Sequence, residues 1–98
     1  MSSRKFNDAS IKDLIKLMMS NAGLEKKYNE LEIVKCYHEV MGTMISKRTL
    51  DVKVEERKLI LKIDSGVLRE ELSLNKKRII DLVNERFGAV VVEAVEIR

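Results

Sequence analysis

Leu50-Asp51-Val52-Lys53-Val54-Glu55-Glu56-Arg57-Lys58-Leu59-Ile60-Leu61-Lys62-Ile63 is the stretch that decides the fold. From Leu50 to Glu55 apolar and charged residues alternate, the period of a half-buried strand. Lys58 to Ile63 continues with Leu59, Leu61 and Ile63 on one side. The segment Glu55-Glu56-Arg57-Lys58 is too short for a crossover helix, so the two strands form an antiparallel hairpin. It holds neither Gly nor Asn, which argues against a two-residue primed turn and for a longer loop.

Before the hairpin the apolar period is helical. Over residues 25–46, Leu31, Val34, His38, Met41 and Ile45 form one stripe, and Ile33, Tyr37, Val40 and Met44 its neighbour. Two adjacent stripes predict a wide buried face and the central core helix. Gly42 interrupts it; a mid-helix glycine costs about 1 kcal/mol, so a packing reason is expected. Over residues 10–22, Ile11, Leu14, Ile15, Met18 and Ala22 form a further helix. Ser10 and Asp13 are spaced as a capping box, and Gly23 is placed as its left-handed end. Residues 1–7 are polar and expected to be disordered.

After the hairpin, Asp64 or Ser65 can cap a long helix over residues 66–87, with Leu68, Leu72, Ile79, Val83 and Phe87 as its stripe. Ser73 is a candidate break and Gly88 the terminator. Residues 91–97 are β-branched and read as a strand, but Val95 and Ile97 share a face with Glu93, so a bulge or a late start is expected. The order is ααββαβ: an α+β domain with a three-stranded sheet, helices on one face, and Asp51, Lys53, Ile60 and Lys62 on the other.

The 98 residues make a single domain, 45% hydrophobic and 36% charged, with a net charge of +3. At this size the chain supports one modest core and no deep substrate cavity. The single Cys36 rules out an internal disulfide and fits a reducing, cytoplasmic compartment. No apolar run approaches membrane-spanning length, so no membrane partner is expected. His38, the one histidine, lies on an apolar helix face, where a boundary position is the ordinary reading. The glycines at 23, 42, 66 and 88 form no phosphate loop, and no metal-ligand spacing or nucleophile motif occurs. A non-enzyme without cofactor, metal or small-molecule substrate is expected.

Positive charge is what remains. Lys76, Lys77 and Arg78 are the first candidate phosphate contacts, and Lys47, Arg48, Arg57 and Lys58 a second group. Acids are interspersed throughout, so a merely solvated surface stands as the alternative. The expected open sheet face holds no Phe or Tyr on which bases could stack.

Several stretches taken together resemble the DciA family, bacterial proteins long catalogued as a domain of unknown function. Tyr37-His38-Glu39-Val40-Met41-Gly42 matches the family's Trp-x-x-Val-Val-Gly with a Tyr in the Trp place. Ile45-Ser46-Lys47-Arg48-Thr49 leads into the first strand, and Leu59 to Leu72 follows the family's strand, small-residue cap and helix ending in Glu-Leu. Asn84 and Gly88 match the Asn and Gly that close the long helix. The resemblance covers residues 29–98 most clearly and is nearest to the compact Bacteroidetes-type members, which lack the disordered extension of longer relatives. It implies a KH-like fold and a DNA-binding, helicase-associated role in replication initiation, with a DnaB-type replicative helicase and DNA as partners. A Gly-x-x-Gly clamp of the KH kind is missing. Two alternatives remain: a protein adaptor using the open sheet face or the surroundings of Tyr37, and an RNA-binding KH-like module.

Overall fold

The computed structural model describes residues 8–18, 20 and 22–98; the polar start at residues 1–7 lies outside them. The described residues form helix α1 (Asp8–Met18), helix α2 (Ala22–Arg48), strands β1 (Thr49–Glu55) and β2 (Lys58–Ile63), helices α3 (Gly66–Ser73) and α4 (Lys76–Phe87), and strand β3 (Ala94–Ile97). The α+β architecture with a one-sided, three-stranded sheet is as the sequence predicts. β2 lies in the centre, antiparallel to β1 and parallel to β3, so the sheet is mixed.

Period two on β2 sorts the two faces. Leu59, Leu61 and Ile63 point to the helices and meet Ile33, Cys36 and Tyr37 of α2, Leu72 of α3, and Ile79 and Val83 of α4. Each fully buried Leu or Ile contributes about 1.5–3 kcal/mol, which makes this one aliphatic layer the main source of stability. Tyr37 is fully buried; its hydroxyl meets Thr49 Oγ1 at 3.0 Å, and Thr49 Oγ1 donates to the Ile45 carbonyl at 2.8 Å.

Several local expectations are corrected. The hairpin is a two-residue primed loop after all: Glu55 pairs with Lys58, and Glu56 and Arg57 take φ of 47° and 66°. The absent Gly-Asn chemistry is compensated by tertiary ties, since the Arg57 carbonyl accepts from the backbone N–H of Glu93 at 2.8 Å and Arg57 Nη1 reaches Glu93 Oε2 at 3.3 Å. Leu50 is not an inward strand residue; the register shifts between Thr49 and Asp51, and Leu50 is exposed.

The helix predicted over 66–87 is two helices. Asn75 (φ −119°, ψ 26°) breaks the ladder, and its side-chain amide donates to the Glu71 carbonyl at 2.8 Å. Ser65, not Asp64, caps α3 by accepting from the Leu68 N–H. Gly42 interrupts α2 for a backbone reason, not a packing one: φ is 82° and ψ 173°, and a Cβ there would meet nothing within 4 Å. Ser10 lies inside α1 and Gly23 inside α2, so neither is a cap. Leu31 and Met44, predicted inward, are exposed, because Gly42 turns the following segment and α2 extends beyond the core at its start. β3 starts late: Val92 is buried in its lead-in, and Val95 takes the inward place.

Asn84 and Gly88 organise that lead-in. Gly88 is left-handed (φ 93°) and its N–H returns to the Asn84 carbonyl. The Asn84 side chain accepts from the N–H of Val91 and Val92 and donates to the Val92 carbonyl, each at 2.9 Å.

Candidate nucleic-acid interface

Lys76, Lys77 and Arg78 are the first three residues of α4 and all are exposed. Asn75 at the N-cap makes no side-chain cap bond, and no acid lies in the first turn. The leading N–H groups of a helix have no partner within it and carry the positive end of its dipole, so cations and backbone donors favour an anion at the same place. Among the described residues none of the three cations joins an ion pair within 4 Å.

The second group does not gather. Lys47 and Arg48 precede β1, whereas Arg57 and Lys58 lie at its far end, beyond seven strand residues or roughly 20 Å. Lys47 is free of ion pairs among the described residues, but Arg48 approaches Asp64 at 3.8 Å, Arg57 approaches Glu93 at 3.3 Å, and Lys58 holds Glu96 at 2.9 Å. The Lys58 hydrogen bond, with a second from Arg98, keeps the Glu96 carboxyl below its ordinary value. Three of these four charges are thus already engaged within the chain.

The open sheet face brings together residues that sequence reasoning left apart. Lys53, Lys62 and Arg98 surround Ile60 and Asp51 in a shallow hollow of about 240 Å³. Ile60 belongs to this face as predicted, yet it is 95% covered by its long-chained neighbours, its relative exposure being 5%. Arg98 was missed because only the parallel pairing of β3 with β2, Leu61 opposite Ile97, carries it there. The β-branched run at 91–97 signalled a strand but not its partner.

Tyr37 is fully buried and offers no surface of its own, while Lys35 and Glu39 beside it are exposed. Its family-motif neighbours Gly42, Leu72, Asn84 and Gly88 sit at the helix break, in the core and at the close of α4. His38 is half-buried with Nδ1 2.9 Å from Ser46 Oγ, across the Gly42 break. Cys36 is a buried free thiol, and burial raises its pKa. Among the described residues no cluster of His, Cys, Asp or Glu could hold a metal ion, and no helix is long and apolar enough to cross a membrane.

The described residues form a small α+β domain with a one-sided, three-stranded sheet, whose candidate sites are surface charge and solvent-open hollows. The model of the family described as Dna[CI] antecedent, DciA, matches residues 10–97, and the chain belongs to that family. The family has a loader role associated with the DnaB-type replicative helicase and is not a catalytic one. No curated protein and no solved structure matches the chain.

Proposed function

We propose that this chain is a non-enzymatic, cytoplasmic accessory of replication initiation that contacts the replicative helicase and holds DNA. The observation that carries the DNA half is the start of α4, which has no side-chain cap bond and holds three exposed cations, Lys76, Lys77 and Arg78, that join no ion pair among the described residues. Lys47 joins no ion pair among the described residues and is a further candidate contact, while Arg48, Arg57 and Lys58 contribute less because each already has a carboxylate. The KH-like reading is supported by helices α2, α3 and α4 packed behind a three-stranded sheet whose middle strand is antiparallel to one neighbour and parallel to the other. Without a Gly-x-x-Gly segment, recognition would rest on helix-end donors and side-chain charge in place of a glycine backbone clamp.

The test is fluorescence anisotropy with labelled single-stranded DNA, duplex DNA and single-stranded RNA across a salt series. Three neutralised phosphates give a log–log slope of about −2.7 for duplex and about −2.1 for single strands. Replacing Lys76, Lys77 and Arg78 by Ala flattens the slope by about that amount. No DNA binding at low salt would refute this half of the reading, and tighter RNA binding would favour the RNA alternative.

The adaptor reading is favoured by a separate observation. Ile11, Leu14, Ile15 and Met18 on α1 and Leu24, Tyr28 and Leu31 at the start of α2 are large, apolar and exposed. Helicase capture that survives loss of all DNA binding would support it.

A further inference from the structure

The N-terminal half of α2 overhangs the hairpin tip and leaves a groove of about 460 Å³ between them. One wall is a single face of α2, and the other is the end of β1, the turn and Val91 of the β3 lead-in. Ile33, Val54 and Val91 form its apolar floor. Glu25, Glu30 and Glu56 stand around it, and an adjoining hollow of about 490 Å³ adds Glu55.

Charge gives the groove its polarity. Among the described residues, these four glutamates join no ion pair within 4 Å. Of the cations nearby, Arg57 is engaged by Glu93 and Lys58 by Glu96, which leaves Lys26. An acidic rim on a chain of net charge +3 is unsuited to phosphates and is the reverse of the α4 start. The turn beside it holds Glu56 and Arg57 in left-handed backbone.

We propose that this groove is a protein-docking site for a basic amphipathic segment, whose apolar side would cover Ile33, Val54 and Val91 while its Lys or Arg side chains meet Glu25, Glu30, Glu55 and Glu56. A helix in a groove of this kind draws affinity from the apolar face and orientation from the rim charges. The groove shares no lining residue with the α4 start, so its occupancy and DNA binding can be measured separately.

The probe is a labelled synthetic peptide with leucines at helical i, i+3, i+4 and i+7 spacing and lysines elsewhere, titrated with the full chain. A peptide of the same composition in scrambled order is the control. Binding to the ordered peptide is expected, about tenfold or more weaker for the scrambled one, and weakened about tenfold or more by Glu30→Lys with Glu56→Lys. Thermal unfolding shows whether that variant is folded, and its DNA salt slope should equal the wild type's. Equal affinity for both peptides, no binding, or indifference to the charge reversal each overturns the proposal. A dimer of the peptide-free chain that Glu30→Lys with Glu56→Lys dissociates would make the occupant a second copy and overturn it as well. Peptide binding without DNA binding would refute the DNA reading alone.

Discussion

Replacing Asn84 by Ala should be among the most damaging changes outside the aliphatic core. The side chain makes three hydrogen bonds, each 2.9 Å, to the backbone of Val91 and Val92. It therefore fixes the segment that brings Val92 into the core and delivers β3 to the sheet edge. A net value of about 1 kcal/mol per bond gives a loss of roughly 3 kcal/mol, a large part of the ~5–15 kcal/mol of a small domain. For a chain of this size that is a fall in Tm of about 12–24 °C, readable by calorimetry or circular dichroism. Asn84→Asp keeps the two bonds accepted from the Val91 and Val92 N–H groups and removes only the one donated to the Val92 carbonyl, so it isolates the donor side of the clamp. A loss under about 1 kcal/mol for Ala would refute the clamp.

Other predictions follow from the corrected backbone and from buried titratable groups. Glu56→Asn should stabilise by about 0.5–1 kcal/mol in urea unfolding, because Asn tolerates the φ of 47° that Glu is forced to adopt. Gly42→Ala should cost about 1–2 kcal/mol although its Cβ would touch nothing, whereas Gly23→Ala should gain about 0.5–1 kcal/mol; the contrast tests left-handed against helical backbone. Burial raises the pKa of the Cys36 thiol, and burial raises that of Tyr37 despite its Thr49 hydrogen bond. Raised pKa values mean stability complete below the unfolded values and lost as pH rises through the folded ones. Tm should thus fall above about pH 8.5, and Cys36→Ala should flatten the first part of that fall. An alkaline limb unchanged in Cys36→Ala would show the thiol to be uninvolved.

The local expectations that the structure corrects share a cause. A primed turn built from Glu56 and Arg57 goes against turn chemistry, and it survives because Glu93, 36 residues away from Arg57, ties the tip down. Gly42 interrupts the helix in three dimensions without interrupting the apolar period, so a packing explanation was natural in the sequence and wrong in the structure. The break at Asn75 was signalled only by Ser73, because Leu72 and Ile79 keep helical spacing through it.

What the sequence by itself determined is whatever depends on period and nearest neighbours: the hairpin, the helical stretches, the inward set Leu59, Leu61 and Ile63, and the left-handed close at Gly88. The DciA family was legible too, through short motifs whose spacing reflects those same elements. Tertiary structure alone decided which charges are free. Arg57, Lys58 and Arg86 find carboxylates 36, 38 and 47 residues away, while Lys76, Lys77 and Arg78 find none within 4 Å among the described residues. It also placed Arg98 beside Lys62 and set Glu25 and Glu30 opposite Glu56 across a groove. Coulombic partnership depends on distance in space, and side chains brought together by parallel strand pairing or helix overhang leave no periodic trace along the chain.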